Sequence, residues 1–263
     1  MTLALSALVL AVVTNAARTT SAPSPLPAPD TLRVVLVVDD TVARRSLVQG
    51  ARLGAEEASH TGAMFGTVVT LRVESRGAFD STARASGADA SRAALPSLYV
   101  VAGDSSTCSA VMPQSVRPTI PVLDAGCPFI GGPSAKVAYS LLPASAFTAT
   151  AGDSVRVELW HWSLERFGGE QLNERYRRRF GERMDSPAWA GWLALKIALD
   201  AALHAQKTDG GSLLRQLADP RAQYDGQKGR PLRFAADTHR LVQPVYRVTG
   251  RGDDERVVAE VAP

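Results

Sequence analysis

Three short polar segments of the chain hold the side chains best suited to bind a ligand. The residues are Asp39 in the first segment, Ser105, Ser106 and Thr107 in the second, and Asp124, Ala125 and Gly126 in the third. Hydroxyl groups and the backbone N–H groups of a helix start can donate hydrogen bonds to a carboxylate or a carbonyl. An aspartate can bind a cation or an ammonium group. The segments therefore predict a binding site for a small polar molecule.

Each segment also fits an ordinary structural role. Asp39, Asp40 and Thr41 follow an apolar run and can accept hydrogen bonds from the first turn of a helix. The hydroxyl-rich segment after Gly103 has the composition of a turn or a cap. The sequence leaves both interpretations open, and we predict that Asp39, Asp40 and Thr41 cap the following helix.

The sequence does not support catalysis. It contains no nucleophile elbow, and GGPSAK at residues 131–136 lacks the length and pattern of a phosphate-binding loop. Ser105, His161 and Asp124 are the residue types of a catalytic triad, but nothing in their spacing brings them together. We therefore predict that the protein is not an enzyme and needs no cofactor.

The apolar pattern predicts the elements that position the three segments. The run VVLVV at residues 34–38 is continuous, as in a parallel strand buried on both faces. A helix with a stripe of small residues and a β-branched strand at 67–73 follow, and the small residues predict close packing of that helix against the sheet. Further strands are predicted at 98–102, 118–123 and 136–142.

Alternating strands and helices define an α/β fold with a doubly wound, mainly parallel sheet. In such sheets ligands bind beyond the carboxyl ends of the strands, where all three polar segments fall. Later residues predict a strand at 155–162, helices at 172–180 and 188–206, and a C-terminal hairpin whose strands lie near 232–234 and 242–248. The four tryptophans are expected in the core, with stacking on an aromatic ligand as the alternative.

The N-terminus predicts export. Residues 1–17 carry an uncharged apolar stretch that is too short to span a bilayer and resembles a signal peptide, although the usual basic start is missing. Residues 18–30 form a Pro/Ser-rich linker, 31–250 a single Rossmann-like lobe and 251–263 a tail. We predict a periplasmic protein without membrane insertion after cleavage.

Charge and cysteines add two expectations. The net charge of +3 gives little support for a nucleic-acid partner, and the basic residues at 175–179 alternate with acidic ones. Cys108 and Cys127 stand nineteen positions apart, which in an exported chain favours a disulfide over two free thiols. No metal site is predicted, because no suitably placed histidines accompany the cysteines.

Several segments resemble type I periplasmic binding proteins, the branched-chain amino-acid receptor class of ABC importers. QGARLGAEEASHTGAMFGTVVTLRVES at 49–75 resembles their opening helix, turn and second strand. LYVVAGDSSTCS at 98–109 and IPVLDAGCP at 120–128 resemble two of their ligand-facing strand ends, and 226–248 resembles their closing hairpin. Residues 157–203 are similar to the subset encoded with PQQ-dependent alcohol oxidation systems.

The resemblance implies a function and also a departure. It implies an exported substrate-binding component of an ABC system, with an unknown small-molecule ligand, an ABC permease as partner and a disulfide between Cys108 and Cys127. Members of the family have two lobes, whereas residues 143–157 here replace most of the second lobe. The alternative is therefore a degenerate lobe that has lost its ligand and serves as a protein–protein interaction or assembly module, for instance as a homodimer. That alternative predicts an exposed apolar patch at residues 160–167.

Overall fold

The computed structural model describes residues 30–42, 44–85, 95–112, 119–128, 137–143 and 155–262. The predicted signal segment, nearly all of the predicted linker and most of the connection at 143–157 lie outside these ranges. The glycine-containing loop at 131–136 lies outside them as well.

A five-stranded parallel sheet forms the centre of the described fold. Its strands are β1 (Asp30–Val38), β2 (Thr67–Ser75), β3 (Leu98–Ala102), β4 (Val122–Gly126) and β5 (Ala138–Ser140). They lie in the order β2-β1-β3-β4-β5, and every neighbouring pair is parallel. The predicted α/β fold with a mainly parallel sheet is confirmed.

Helices cover both faces of this sheet. They are α1 (Arg45–Met64), α2 (Arg76–Ala85), α3 (Ser105–Val111), α4 (Gly169–Phe180), α5 (Ser186–Ala205) and α6 (Gly210–Ala218). Val34, Leu36 and Val38 belong to the core that contains α1 and α5, whereas Val35 and Val37 pack with residues of α2 and α3. Burial on both faces explains why the run is continuous rather than alternating.

Two small antiparallel sheets complete the C-terminal part. Their strands are β6 (Val155–Glu158), β7 (Tyr224–Asp225), β8 (Pro231–Phe234), β9 (Leu241–Val242), β10 (Val245–Thr249) and β11 (Arg256–Val261). The order is β11-β10-β6 in one sheet and β7-β8-β9 in the other. The predicted hairpin is present in part: β9 pairs with β8, but most of the predicted second strand at 242–248 is β10, which belongs to the other sheet. The segment that we assigned as a tail contributes β11, which pairs with β10.

Several local predictions need correction. Strand β4 begins at Val122, later than predicted, and extends through Gly126. Strand β6 ends at Glu158, before the predicted end at residue 162. Helix α1 begins after Arg44 and has no side-chain cap, so the predicted capping by Asp39, Asp40 and Thr41 is wrong. Asp40 instead accepts a hydrogen bond from Val42 N (2.7 Å), and this turn delays the helix.

None of the helices in the described ranges has the length and apolar character needed to cross a membrane.

Candidate functional site

The three predicted segments meet at the carboxyl edge of the parallel sheet. Asp39, which follows β1, accepts a hydrogen bond from Asp104 N, which follows β3 (2.9 Å). Gly103 N donates to Gly126 O at the end of β4 (3.3 Å). Parallel neighbouring strands end at one edge, so segments that are far apart in sequence come together there.

The second segment is organised by Asp104, the N-cap of α3. Its carboxylate accepts hydrogen bonds from Thr107 N (2.7 Å) and Ser106 Oγ (2.9 Å). These bonds, the Thr107 N–H first, lower the pKa of Asp104 to about 2. Arg76 also donates to the Ser106 hydroxyl, and Thr107 is buried. Capping therefore occupies much of this segment, and a ligand role for Ser105, Ser106 and Thr107 stays a prediction.

Asp124 holds the third segment in shape. Its Oδ1 atom accepts hydrogen bonds from Gly126 N (3.1 Å) and Cys127 N (2.8 Å), and its Oδ2 atom accepts from Ser140 Oγ (2.8 Å). Burial raises the pKa of the Asp124 carboxyl. Both oxygens thus have partners inside the protein, which favours a supporting role for Asp124 over direct ligand contact.

Asp39 forms an ion pair with Arg44 that joins the first segment to α1. Arg44 Nε donates to Asp39 Oδ1 (3.1 Å), and Arg44 Nη2 donates to Asp39 Oδ2 (3.2 Å). Hydrogen bonding by Arg44 is the main reason why the pKa of Asp39 is lowered. Asp39 therefore stays charged at neutral pH and fixes the guanidinium of Arg44.

A cavity of about 170 Å³ opens beside this ion pair. It is lined by Arg44, Ser46, Leu47, Ala125, Gly126, Leu142, Leu159, Ser186 and Pro187. Of the predicted site residues, Ala125 and Gly126 line the cavity. Asp39 does not line the cavity but is ion-paired with Arg44, which does. The volume far exceeds the roughly 10–15 Å³ that one water needs and is smaller than the roughly 300–1,000 Å³ of sites for drug-sized ligands.

The sequence reasoning missed the residues that α1 and α5 bring to the cavity. Their first turns supply Ser46, Leu47, Ser186 and Pro187. Pro187 was recognised as a helix start, but the contact between the two helices depends on a pairing that no local pattern reveals. The sequence signal for this contact is Gly50, a glycine in the interior of α1, and in the structure a Cβ atom there would lie 1.8 Å from Ala188 O.

The positions of the cysteines, His161 and the tryptophans test further sequence predictions. The disulfide between Cys108 and Cys127 is confirmed, and it joins α3 to the residue after β4. His161 Nδ1 is 2.8 Å from Ser163 Oγ, and His161 Nε2 is 3.6 Å from Glu255. These contacts include neither Ser105 nor Asp124, the other two residues of the triad considered above. Trp160, Trp189 and Trp192 are buried in the core as predicted, whereas Trp162 is half-buried and Arg183 lies over its ring. The described residues contain no group of three or more His, Cys, Asp or Glu side chains that could hold a metal ion.

Asparagine at position 124 is expected to replace the aspartate without loss of stability, whereas alanine should cost about 2–3 kcal/mol. Asp124→Ala leaves the N–H groups of Gly126 and Cys127 without an acceptor, while Asp124→Asn keeps one. Because the folded-state pKa of Asp124 is raised, its contribution is fully present below the unfolded value near 3.8 and is lost as pH rises through the folded pKa.

The free energy of unfolding of Asp124→Asn, relative to that of the wild type, should therefore increase between about pH 4 and about pH 7. Urea unfolding of the three proteins at both pH values measures this difference. Equal midpoints for the asparagine variant and the wild type at both pH values would contradict a raised pKa.

The described fold is similar to solved substrate-binding proteins of ABC transporters. One is an ABC transporter substrate-binding protein from Sphaerobacter thermophilus, with a TM-score of 0.69 and 12% identity over 89% of this chain and 98% of that chain. Another is the branched-chain amino-acid transporter substrate-binding protein of Streptococcus pneumoniae in complex with isoleucine, with a TM-score of 0.66 and 12% identity over 89% and 100%.

A third is a solute-binding protein of an ABC transporter from Rhodopseudomonas palustris in complex with 3,4-dihydroxybenzoic acid, with a TM-score of 0.62 and 11% identity over 89% and 97%. No protein-family model matches this sequence, and no curated protein matches it. At these identities the similarity establishes the fold. The structure neighbours of the chain are type I periplasmic binding proteins, and its α/β sheet matches a lobe of their fold.

Proposed function

We propose that this protein is an exported substrate-binding component of an ABC transport system that binds a small molecule at the carboxyl edge of its parallel sheet. The cavity between Ala125–Gly126 and the first turns of α1 and α5 carries this proposal. It lies where open α/β sheets bind ligands, in a fold shared with transporter binding proteins that are not enzymes. An ABC permease is the corresponding partner, and the periplasm is the corresponding compartment.

A link to PQQ-dependent alcohol oxidation is part of the proposal. Its support is the resemblance of residues 157–203 to receptors encoded with such systems. A replacement of most of the second lobe by residues 143–157 also belongs to the proposal. With one lobe, the ligand would be held against a single wall, and we expect modest affinity unless a partner or a second copy closes the cavity.

A ligand panel tests the proposed function. Thermal-shift and equilibrium-dialysis measurements with alcohols, carboxylic acids, amino acids, PQQ and metal ions should give at least one saturable response. Ala125→Leu, which fills the cavity, should remove that response, whereas Ala63→Leu on the exposed side of α1 should not. No response across the panel would count against a binding protein.

The alternative function, an interaction module without its own ligand, receives limited support. In the predicted apolar patch at 160–167, Phe167 is exposed, Trp162 and Leu164 are half-buried, and Trp160 is buried. Val42, which follows β1 at the carboxyl edge of the sheet, is also exposed. Sedimentation analysis distinguishes the two functions: a stable dimer that binds nothing in the panel would favour the interaction module.

A further inference from the structure

The hydroxyl groups that line the cavity are already used within the protein. Ser186 Oγ accepts hydrogen bonds from Leu159 N (3.0 Å) and Trp160 N (3.2 Å) and can donate to Trp160 O (3.1 Å). The Ser46 side chain is hydrogen-bonded to Asp185, the N-cap of α5. Neither hydroxyl is therefore free to recognise a ligand without breaking a bond that fixes the start of α5.

Arg44 is the charged side chain that remains available. Its Nε and Nη2 atoms are bound to Asp39, while Nη1 has no hydrogen-bond partner among the described residues. The first turn of α1 beside it has neither a side-chain cap nor an acidic residue. The Arg45 N–H of that turn already donates to Val42 O (3.2 Å), but the dipole of the helix still favours negative charge at its start. The polar group available at this end of the cavity is thus the Nη1 donor of Arg44, which requires an acceptor on the ligand.

An ammonium group would find no partner in the same place. None of the described residues that line the cavity is acidic. The carboxylates behind them already have partners: Asp39 is bound by Arg44, Glu158 pairs with Arg156 (3.3 Å), and Asp185 accepts from Ala188 N (2.8 Å). A positive charge transferred from water into such a site loses hydration without compensation. For an amino acid, the carboxylate would therefore strengthen binding and the ammonium group would weaken it.

The rest of the wall selects a short hydrocarbon. Leu47, Leu142, Leu159 and Pro187 supply apolar surface, and the volume of about 170 Å³, below the roughly 300–1,000 Å³ of sites for drug-sized ligands, suits a ligand with a short chain. We propose that the cavity selects a small monocarboxylate with a short apolar chain and no α-amino group, bound through Arg44 Nη1. This assignment rests on the proposed binding function and names the ligand class for it.

Three compounds with one carbon skeleton test the assignment by isothermal titration: 3-methylbutanoate, valine and 3-methyl-1-butanol. Valine adds the ammonium group to the acid, and the alcohol removes the carboxylate. We expect 3-methylbutanoate to bind at least about tenfold more tightly than either of the others. Arg44→Gln should weaken binding of the acid about tenfold and leave the alcohol unchanged. Arg52→Gln, on an exposed position of the same helix, should change neither.

The outcomes separate this assignment from the binding function itself. Valine binding as tightly as the acid, or an Arg44→Gln variant with unchanged affinity for the acid, would overturn the assignment and leave the function standing. The same holds if another class in the wider panel binds and the acid does not. If no compound binds at all, both are contradicted. The three-ligand comparison uses the wild-type protein and decides the question even if the Arg44 variant is unstable.

Discussion

Replacing Gly50 with alanine is expected to lower the free energy of unfolding by about 3 kcal/mol or more. A Cβ atom at Gly50 would lie 1.8 Å from Ala188 O and 2.5 Å from Ala188 C. Both are backbone atoms of α5, which cannot move aside as a flexible side chain could. Insertion of the methyl group must therefore separate α1 from α5, and the first turns of these helices form one side of the cavity.

Gly191→Ala should have a similar effect from the other helix, because a Cβ atom there would lie 2.2 Å from Leu47 O. Gly77 provides the matched control. It lies in α2, and a methyl group added there would have no atom within 4 Å, so Gly77→Ala should be neutral or stabilise by up to about 1 kcal/mol through helix propensity. Denaturant unfolding measures all three variants. A Gly50→Ala protein as stable as Gly77→Ala would show that α1 and α5 do not approach this closely.

Much of the central sheet could be predicted because its strands are encoded by local patterns of apolar residues in the sequence. The apolar run at 34–38 must be buried on both faces, and only a sheet covered on both sides allows this. The polar segments follow predicted strands, so their meeting at one edge followed from the parallel topology. Two cysteines in a chain with a predicted signal peptide favoured the disulfide.

The features that could not be predicted depend on distant partners. The small-residue stripe of α1 suggested contact with the sheet, but a Cβ atom at Gly54 would meet the backbone of Trp192 in α5. Lys228 stands in a Gly-rich segment and gives no local sign of burial. Its Nζ atom nevertheless lies inside the protein, where it donates to Gln243 Oε1 (2.8 Å) and Pro244 O (2.9 Å) and lies 3.9 Å from the Trp189 ring centroid.

The candidate site could be predicted only in part, because some of its residues also depend on contacts that the sequence does not reveal. Ala125 and Gly126 were found because a strand end is readable in the sequence. Arg44 was overlooked because Asp39 was interpreted as a helix cap, and a cap needs no basic partner. The Asp39–Arg44 pair forms only because the turn after Asp40 carries the chain back before α1 begins. A short-range deviation from the expected helix start thus determines which charge faces the cavity.

Removal of the disulfide should lower the free energy of unfolding by about 3 kcal/mol, the chain-entropy value for a loop of this length. Because Cys108 and Cys127 are both buried, Cys108→Ala/Cys127→Ala also removes some packing, so the variant alone does not isolate the cross-link. Unfolding of the wild type with and without a thiol reductant keeps the side chains and changes only the bond.

The wild-type midpoint should fall when reductant is present during unfolding, and the double-alanine variant should not respond to reductant. The disulfide joins α3, which carries the Ser106 hydroxyl, to the residue that follows Gly126 in the cavity wall. Its loss should therefore loosen the carboxyl edge of the sheet first, and amide hydrogen exchange should increase there before it increases in α5. A uniform increase across the fold, or a wild-type midpoint that ignores the reductant, would contradict this local role.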